Sequence, residues 1–196
     1  MQHVLTLTTD PTSPALDTIV IERAEEVLRT AGLSTGAVAW LDPDVALDLP
    51  FDGTVPDELS VTLHEALAGM PVDINVQPAE GRRKRLLIAD MDSTVITSES
   101  LDDLATYAGI GDKIAPITAR AMRGEIDFEG ALKARVAMLA GHPASLLDRL
   151  LDEVELTPGA RTLVATMRRD GAYTALVSGG FTSLTGPVRE RLGFHT

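Results

Sequence analysis

The run Leu86-Leu87-Ile88-Ala89, ending in Asp90-Met91-Asp92-Ser93-Thr94, constrains this chain more than any other stretch. A short continuous apolar run reads as a buried strand of the kind found in parallel sheets. Successive strand side chains alternate, so Asp90 and Asp92 point roughly the same way at its carboxyl end. Carboxylates that close raise each other's proton affinity unless a cation or a proton lies between them. With Ser93 and Thr94 following, the pair reads as a nucleophile, an acid/base partner and a divalent-metal site rather than as two acidic turn residues. A carboxylate can accept a phosphoryl group and split one hard hydrolysis into two easier steps. Its neighbour can protonate the leaving oxygen and then deprotonate water. Mg²⁺ suits such a site because it is a hard cation that favours carboxylate and phosphate oxygens.

A second apolar run, residues 172–177, leads into Ser178-Gly179-Gly180 and a helix that reaches about Leu192, with Gly193 as its stop. A hydroxyl and the N–H groups of a glycine-permitted turn can cradle phosphate oxygens. Both runs end in polar turns, as strands of one parallel sheet do where ligands bind. Between them lie four helical patterns, about 100–108, 112–123, 128–140 and 144–154, with Ser98 and Asp127 as N-caps. Thr157-Pro158 opens a further helix. These helices are too many for one crossover and are expected to form an inserted cap, about residues 98–156, over the site.

Residues 1–77 read differently. The expected order is β-α-β-α-β: strands near 4–8, 37–41 and 72–76, helices near 16–31 and 57–68, and a Pro- and Asp-rich loop after the second strand. Trp40 is expected in the core. That pattern suggests a small α+β layer. Residues 78–85, with Arg82-Arg83-Lys84-Arg85, read as a solvated linker, and 86–196 form the second segment.

A net charge of −12 argues against a nucleic-acid partner, so any phosphate must be held locally by metal, arginine and backbone N–H groups. No run approaches the roughly 20 apolar residues of a membrane span. The absence of cysteine removes disulfides and thiolate chemistry. A cytoplasmic location is expected; the oligomeric state stays open. The four histidines lack metal-ligand spacing. Arg135, on an apolar helix beside Leu132, Val136 and Leu139, either snorkels to solvent or clamps a carboxylate.

These motifs resemble the phosphoserine phosphatases of the haloacid-dehalogenase-like superfamily over about residues 86–193. Asp90-Met91-Asp92-Ser93-Thr94-Val95-Ile96 is similar to the first motif and Val177-Ser178-Gly179-Gly180-Phe181 to the second. Ala121-Met122-Arg123-Gly124, Asp127-Phe128-Glu129 and Lys133-Ala134-Arg135-Val136 are similar to the cap segment. The resemblance implies a Rossmann-like parallel sheet with a helical cap, and an ACT-like domain in residues 1–77. It implies Mg²⁺-dependent hydrolysis of O-phospho-L-serine, the last step of serine synthesis. Asp90 would be the phosphoryl acceptor and Asp92 the acid/base, both at the metal, with Ser178 and Gly179 on the phosphate. Glu99 and Arg135 would meet the amino and carboxylate groups, and Met122 and Phe128 would close the lid. The family's later lysine and Gly-Asp-Gly motifs find no match before Thr196. The sheet is therefore expected to be incomplete, and the chain, as a truncated form, to be a weak enzyme with exposed apolar surface. A phosphotransferase of the same superfamily, or a non-catalytic fragment with an amino-acid- or partner-binding N-terminal domain, are the alternative readings.

Overall fold

The computed structural model describes residues 1–196, apart from the side chain of Met122. The chain divides into two compact units, Met1–Arg83 and Lys84–Thr196.

In the first unit, β1 (His3–Thr8) is followed by α1 (Thr18–Thr30), β2 (Ser34–Thr35), β3 (Ala39–Asp42), β4 (Ala46–Asp52), α2 (Leu59–Ala66) and β5 (Asp73–Pro78). β1 lies between β4 and β5, antiparallel to both, and β4 is bordered on its other side by β2 and β3. Leu5, Leu7, Leu47, Leu49 and Phe51 alternate along β1 and β4 and are fully buried. They pack with Val20, Ala24 and Leu28 of α1 and Leu59 and Leu63 of α2 in one core. Asp17 starts α1 by accepting from the Val20 N–H at 2.9 Å.

Three expectations fail in this unit. The stretch read as a Pro- and Asp-rich loop contains β4, one of the two strands flanking β1. β4 tolerates Pro50 because its outer edge is shared. β2 pairs with Phe51 and Asp52, β3 pairs with Ala46, Leu47 and Asp48, and Pro50 falls in the break. There its missing N–H leaves no strand unpaired, while its carbonyl takes the Gly36 N–H at 2.7 Å. Trp40, expected in the core, is 44% exposed, because β3 is a four-residue edge strand with every residue at the surface. Arg82, read as part of a solvated linker, folds back onto the sheet face away from the helices. It donates to both carboxylate oxygens of Asp48, at 2.6 and 2.9 Å. Thr6 donates to the same carboxylate at 2.6 Å. Burial pushes the Asp48 carboxyl up, but the Arg82 hydrogen bonds, the Thr6 hydroxyl and the Arg82 charge outweigh it and hold the group below its ordinary value.

The second unit pairs β6 (Leu86–Asp90) with β7 (Tyr173–Val177) in parallel, Asp90 beside Val177. Between them run α3 (Ser100–Tyr107), α4 (Gly111–Met122), α5 (Phe128–Met138), α6 (Ser145–Glu153) and α7 (Ala160–Arg169); α8 (Thr182–Leu192) follows β7. One sheet face sends Leu87, Ala89 and Leu176 into a core with Met91, Leu104, Leu150, Val164, Leu184 and Val188. On the other face Leu86, Ile88, Tyr173 and Val177 are half or more exposed. Two helix starts differ from expectation. Ser98 does not cap α3, whose preceding residue is Glu99, and α7 begins at Ala160 behind a left-handed Gly159 rather than at Pro158.

α3–α6 leave and rejoin the sheet end through a short antiparallel stitch. Ile96 bridges Leu156, the Thr97 N–H meets the Glu155 carbonyl, and the Thr157 N–H meets the Val95 carbonyl, each at 3.0 Å.

Candidate active site

The parallel register sets the site. Asp90 ends β6 and Val177 ends β7 beside it, so the chain emerges from both strands at the same edge, into Met91–Val95 on one side and Ser178-Gly179-Gly180 on the other. The first of these turns is tight. Met91 and Val95 are buried, while Asp92 (φ −65°, ψ 136°) and Ser93 (φ 49°, ψ 19°) leave helical geometry. Asp90 spends one carboxylate oxygen on the Met91 N–H at 2.7 Å. The other takes no hydrogen bond among the described residues.

Asp92 is held at both oxygens. Oδ1 accepts from the N–H of Ser100, the first residue of α3, at 2.7 Å, and Oδ2 faces the Ser178 hydroxyl at 3.5 Å. Ser178 in turn accepts from the Gly180 N–H at 2.9 Å. Both glycines stand where a side chain would meet neighbours, Gly180 in the tighter setting. A Cβ on Gly180 would lie 3.0 Å from Ser178 Oγ, 3.2 Å from Met91 Cε and 3.5 Å from Asp92 Oδ2. A Cβ on Gly179 would lie 2.8 Å from Cζ of Phe128.

Phe128 opens α5 behind Asp127, whose side chain accepts from the Gly130 N–H at 2.8 Å as a sequence-predicted cap should. The ring is 67% exposed overall, yet its tip rests on the Gly179 backbone. On the same helix Arg135 reaches only the Ala131 carbonyl at 3.4 Å and Thr118 Oγ1 at 3.5 Å. It has no acidic partner among the described residues. Lys133, two residues earlier, is instead paired with Glu129 at 2.6 Å. Glu99 receives the Ser93 hydroxyl at 2.8 Å.

These groups surround one pocket of about 350 Å³. Of the sequence-predicted residues it gathers Asp90, Asp92, Glu99, Phe128, Arg135 and Gly179 on its walls, with Ser178 one hydrogen bond behind Asp92. The Met122 side chain lies outside the described residues. Ser100, Leu101, Leu132, Val136, Gly180 and Phe181 also line the pocket. Leu132 and Val136 were legible as the flanks of Arg135; nothing in the local pattern marked Ser100. Carboxylates sit at the strand end, and Glu99 and Arg135 add one charge of each sign. Such a pocket suits a small zwitterion carrying an anionic group. Among the described residues no three His, Cys, Asp or Glu side chains cluster as a metal site. The free oxygen of the Asp90 carboxylate on the pocket wall still fits Mg²⁺, which is bound by one or two carboxylates together with other oxygen donors, waters and substrate phosphate oxygens.

A profile of the haloacid dehalogenase-like hydrolase family matches residues 87–196. A phosphoserine phosphatase of Streptomyces coelicolor is 45% identical over 153 residues, which is 77% of this chain and 37% of that protein. One from Archaeoglobus fulgidus is 42% identical over 138 residues, 69% of this chain and 40% of its own length. The chain thus spans well under half of these curated relatives. Among solved structures, a phospho-aspartyl intermediate analogue of phosphoserine phosphatase superposes with a TM-score of 0.53 at 32% identity, covering 57% of this chain and 53% of that one. A HAD family hydrolase from Salmonella enterica serovar Typhi covers 99% of this chain and 66% of its own, with a TM-score of 0.80 at 24% identity, a likeness of fold. No helix of the described residues is long and apolar enough to cross a membrane.

Proposed function

This chain belongs to the haloacid dehalogenase-like hydrolase family, and we propose that its site serves the Mg²⁺-dependent hydrolysis of O-phospho-L-serine through a phospho-Asp90 intermediate. The observation that carries the reading is the convergence of Asp90, Asp92, Glu99 and Arg135 on one pocket beside the Ser178–Gly180 turn. The curated relatives are named for the same substrate.

The unbonded oxygen of Asp90 attacks phosphorus as the ester P–O bond breaks, and protonated Asp92 gives its proton to the departing serine oxygen. Asp92, now a carboxylate, takes a proton from water as that water attacks the phosphoryl group, which frees Asp90 and phosphate. The Ser100 N–H keeps Asp92 aimed through both steps. Gly179 and Gly180 let the backbone approach phosphate oxygens without a Cβ in the way. Glu99 takes the substrate ammonium and Arg135 its carboxylate, as a guanidinium without an acidic partner is suited to do. The Asp90 carboxylate and the Asp92 backbone carbonyl would hold Mg²⁺, which supplies charge neutralisation at the phosphoryl oxygens when bound. Phe128, whose ring tip lies against Gly179, would cover the phosphate end of the pocket once substrate is bound.

For the first unit, the β-α-β-β-β-α-β course, with short β2 and β3 both bordering β4 in one antiparallel sheet, supports an ACT-like domain.

The test is phosphate release from O-phospho-L-serine with Mg²⁺, run beside Asp90→Asn. Release that the substitution abolishes is the expected result; equal rates in the two proteins would refute the reading.

A further inference from the structure

Ser93 is a non-glycine residue in left-handed backbone conformation, with φ of 49°. L-residues adopt it rarely, and glycine is the relaxed choice there. A side chain retained at such a position has work to do. The hydroxyl of Ser93 has one partner among the described residues: it donates to Glu99 Oε1 at 2.8 Å.

The surroundings make that bond part of a clasp. The Ser93 N–H bonds the Ser98 carbonyl at 3.0 Å, and the Asp92 carboxylate bonds the Ser100 N–H at 2.7 Å. Two consecutive residues of the phosphoryl-transfer turn are thus tied to three consecutive residues at the start of α3. The backbone bond closes the loop, the Asp92 bond seats the acid/base group, and the Ser93 hydroxyl is left to fix the one long, flexible side chain, that of Glu99. Glu99 is exposed and has no basic partner among the described residues. Without the hydroxyl it keeps its rotamer freedom and must lose it when a ligand arrives.

We propose that Ser93 is a positioning residue that pre-sets the Glu99 carboxylate for the ammonium group of the substrate, so that recognition of the amine is built into the turn that carries the catalytic aspartates. This rests on the reading of O-phospho-L-serine as the substrate. It adds that discrimination for the amine depends on a hydroxyl that never touches the ligand.

The test is calorimetric binding to the full chain without added metal, where no turnover competes. The two ligands are O-phospho-L-serine and 3-phosphooxypropanoate, which keeps the phosphate and carboxylate and lacks the amine. Ser93→Gly removes the hydroxyl while relaxing the backbone, so the fold is retained. It is expected to weaken O-phospho-L-serine by about 5- to 20-fold, the range for one exposed charge-assisted hydrogen bond together with a freed glutamate. Binding of the amine-free ligand stays within about twofold, and in a Glu99→Ala background, where the acceptor of the Ser93 hydroxyl is gone, the substitution adds nothing further. Equal weakening of both ligands, or of neither, overturns the role of Ser93 and leaves the substrate reading standing. Wild-type protein that binds the two ligands equally, or binds neither, overturns the substrate reading and this inference with it.

Discussion

Asp48 and Arg82 tie the end of the first unit to its sheet, and breaking that tie has a calculable cost. The Asp48 side chain keeps 12% of its accessible surface and that of Arg82 keeps 30%, so water reaches the guanidinium but scarcely the carboxylate. Hydrogen bonds to charged groups contribute about 1.5–3 kcal/mol, and removing one partner of a fully buried pair costs about 3–5 kcal/mol. This half-shielded pair falls between exposed and buried cases. Asp48→Asn is therefore expected to cost about 2 kcal/mol and Arg82→Met slightly more, since the second leaves the more buried charge behind with only Thr6 to serve it. The double variant should cost less than the sum by about 1–2 kcal/mol. Trp40, the only tryptophan of the chain, lies in β3 with its pairing partner Leu47 next to Asp48, so its fluorescence in a urea titration reports on this unit. At about 1 kcal/mol per molar of urea for a unit this small, Asp48→Asn should lower the midpoint by about 2 M. The effect carries a pH signature. The folded-state pKa of Asp48 is depressed, so its contribution is present above the unfolded value of about 3.9 and disappears as pH falls through the folded value. The gap between wild type and Asp48→Asn should close on that descent. A midpoint within 0.5 M of wild type, or a gap that persists in acid, would refute the argument; those thresholds are about a quarter of the shift expected from the urea slope.

Further outcomes are expected elsewhere. Gly179→Ala collides with the tip of an exposed, movable Phe128 ring, so phosphate release should fall about tenfold with melting little changed. Gly180→Ala meets Ser178, Met91 and Asp92 at once and should cost about 100-fold in the same assay and lower the melting temperature as well. Equal effects of the two would contradict this geometry. Tyr107 donates to Glu153 at 2.7 Å with Arg149 stacked over its ring, and the Glu153 hydrogen bond leads its rise to about 12. Its stabilising effect is intact below the ordinary tyrosine value and is lost as pH climbs through about 12, so Tyr107→Phe should delete the late phase of an ultraviolet phenolate titration. Mg²⁺ should raise the melting temperature of the second unit, and Asp90→Asn should abolish that rise; an unchanged rise would place the cation elsewhere.

The parts of this molecule that could be read in advance are those whose signal is local. The apolar runs ahead of Asp90 and Ser178 declare two strands, and helical spacing locates the four cap helices within a residue or two. Asp90 and Asp92 stand out because two carboxylates at a strand end need a reason. Arg135 and Glu99 were distinguishable from surface residues only through family resemblance, because one charged side chain on a helix carries no mark of what it faces. β4 was missed because Pro50 and Asp48 both argue against a strand. The break between β2 and β3 excuses the first, and Arg82, 34 residues away, excuses the second. Trp40 was misplaced because aromatic character predicts burial only where a strand has a covered face. Ser100 and Ser93 gain their places from the φ of one residue and from bonds that close only after folding.

The stitch at Ile96 and Leu156 bears on how such a chain could diversify. The excursion from the sheet leaves and returns at adjacent points, so to the strands beneath it the whole helical assembly is equivalent to a tight turn. Closing that neck costs a loop entropy that grows only slowly with the length of what it carries. α4 and α5, which contribute none of the fully buried residues of the core beneath the site, could be lengthened, shortened or exchanged above the neck, whereas α3 and α6 are tied into that core by Leu104 and Leu150. Selection for a new ligand could then act on α4 and α5 while the core beneath the site is kept.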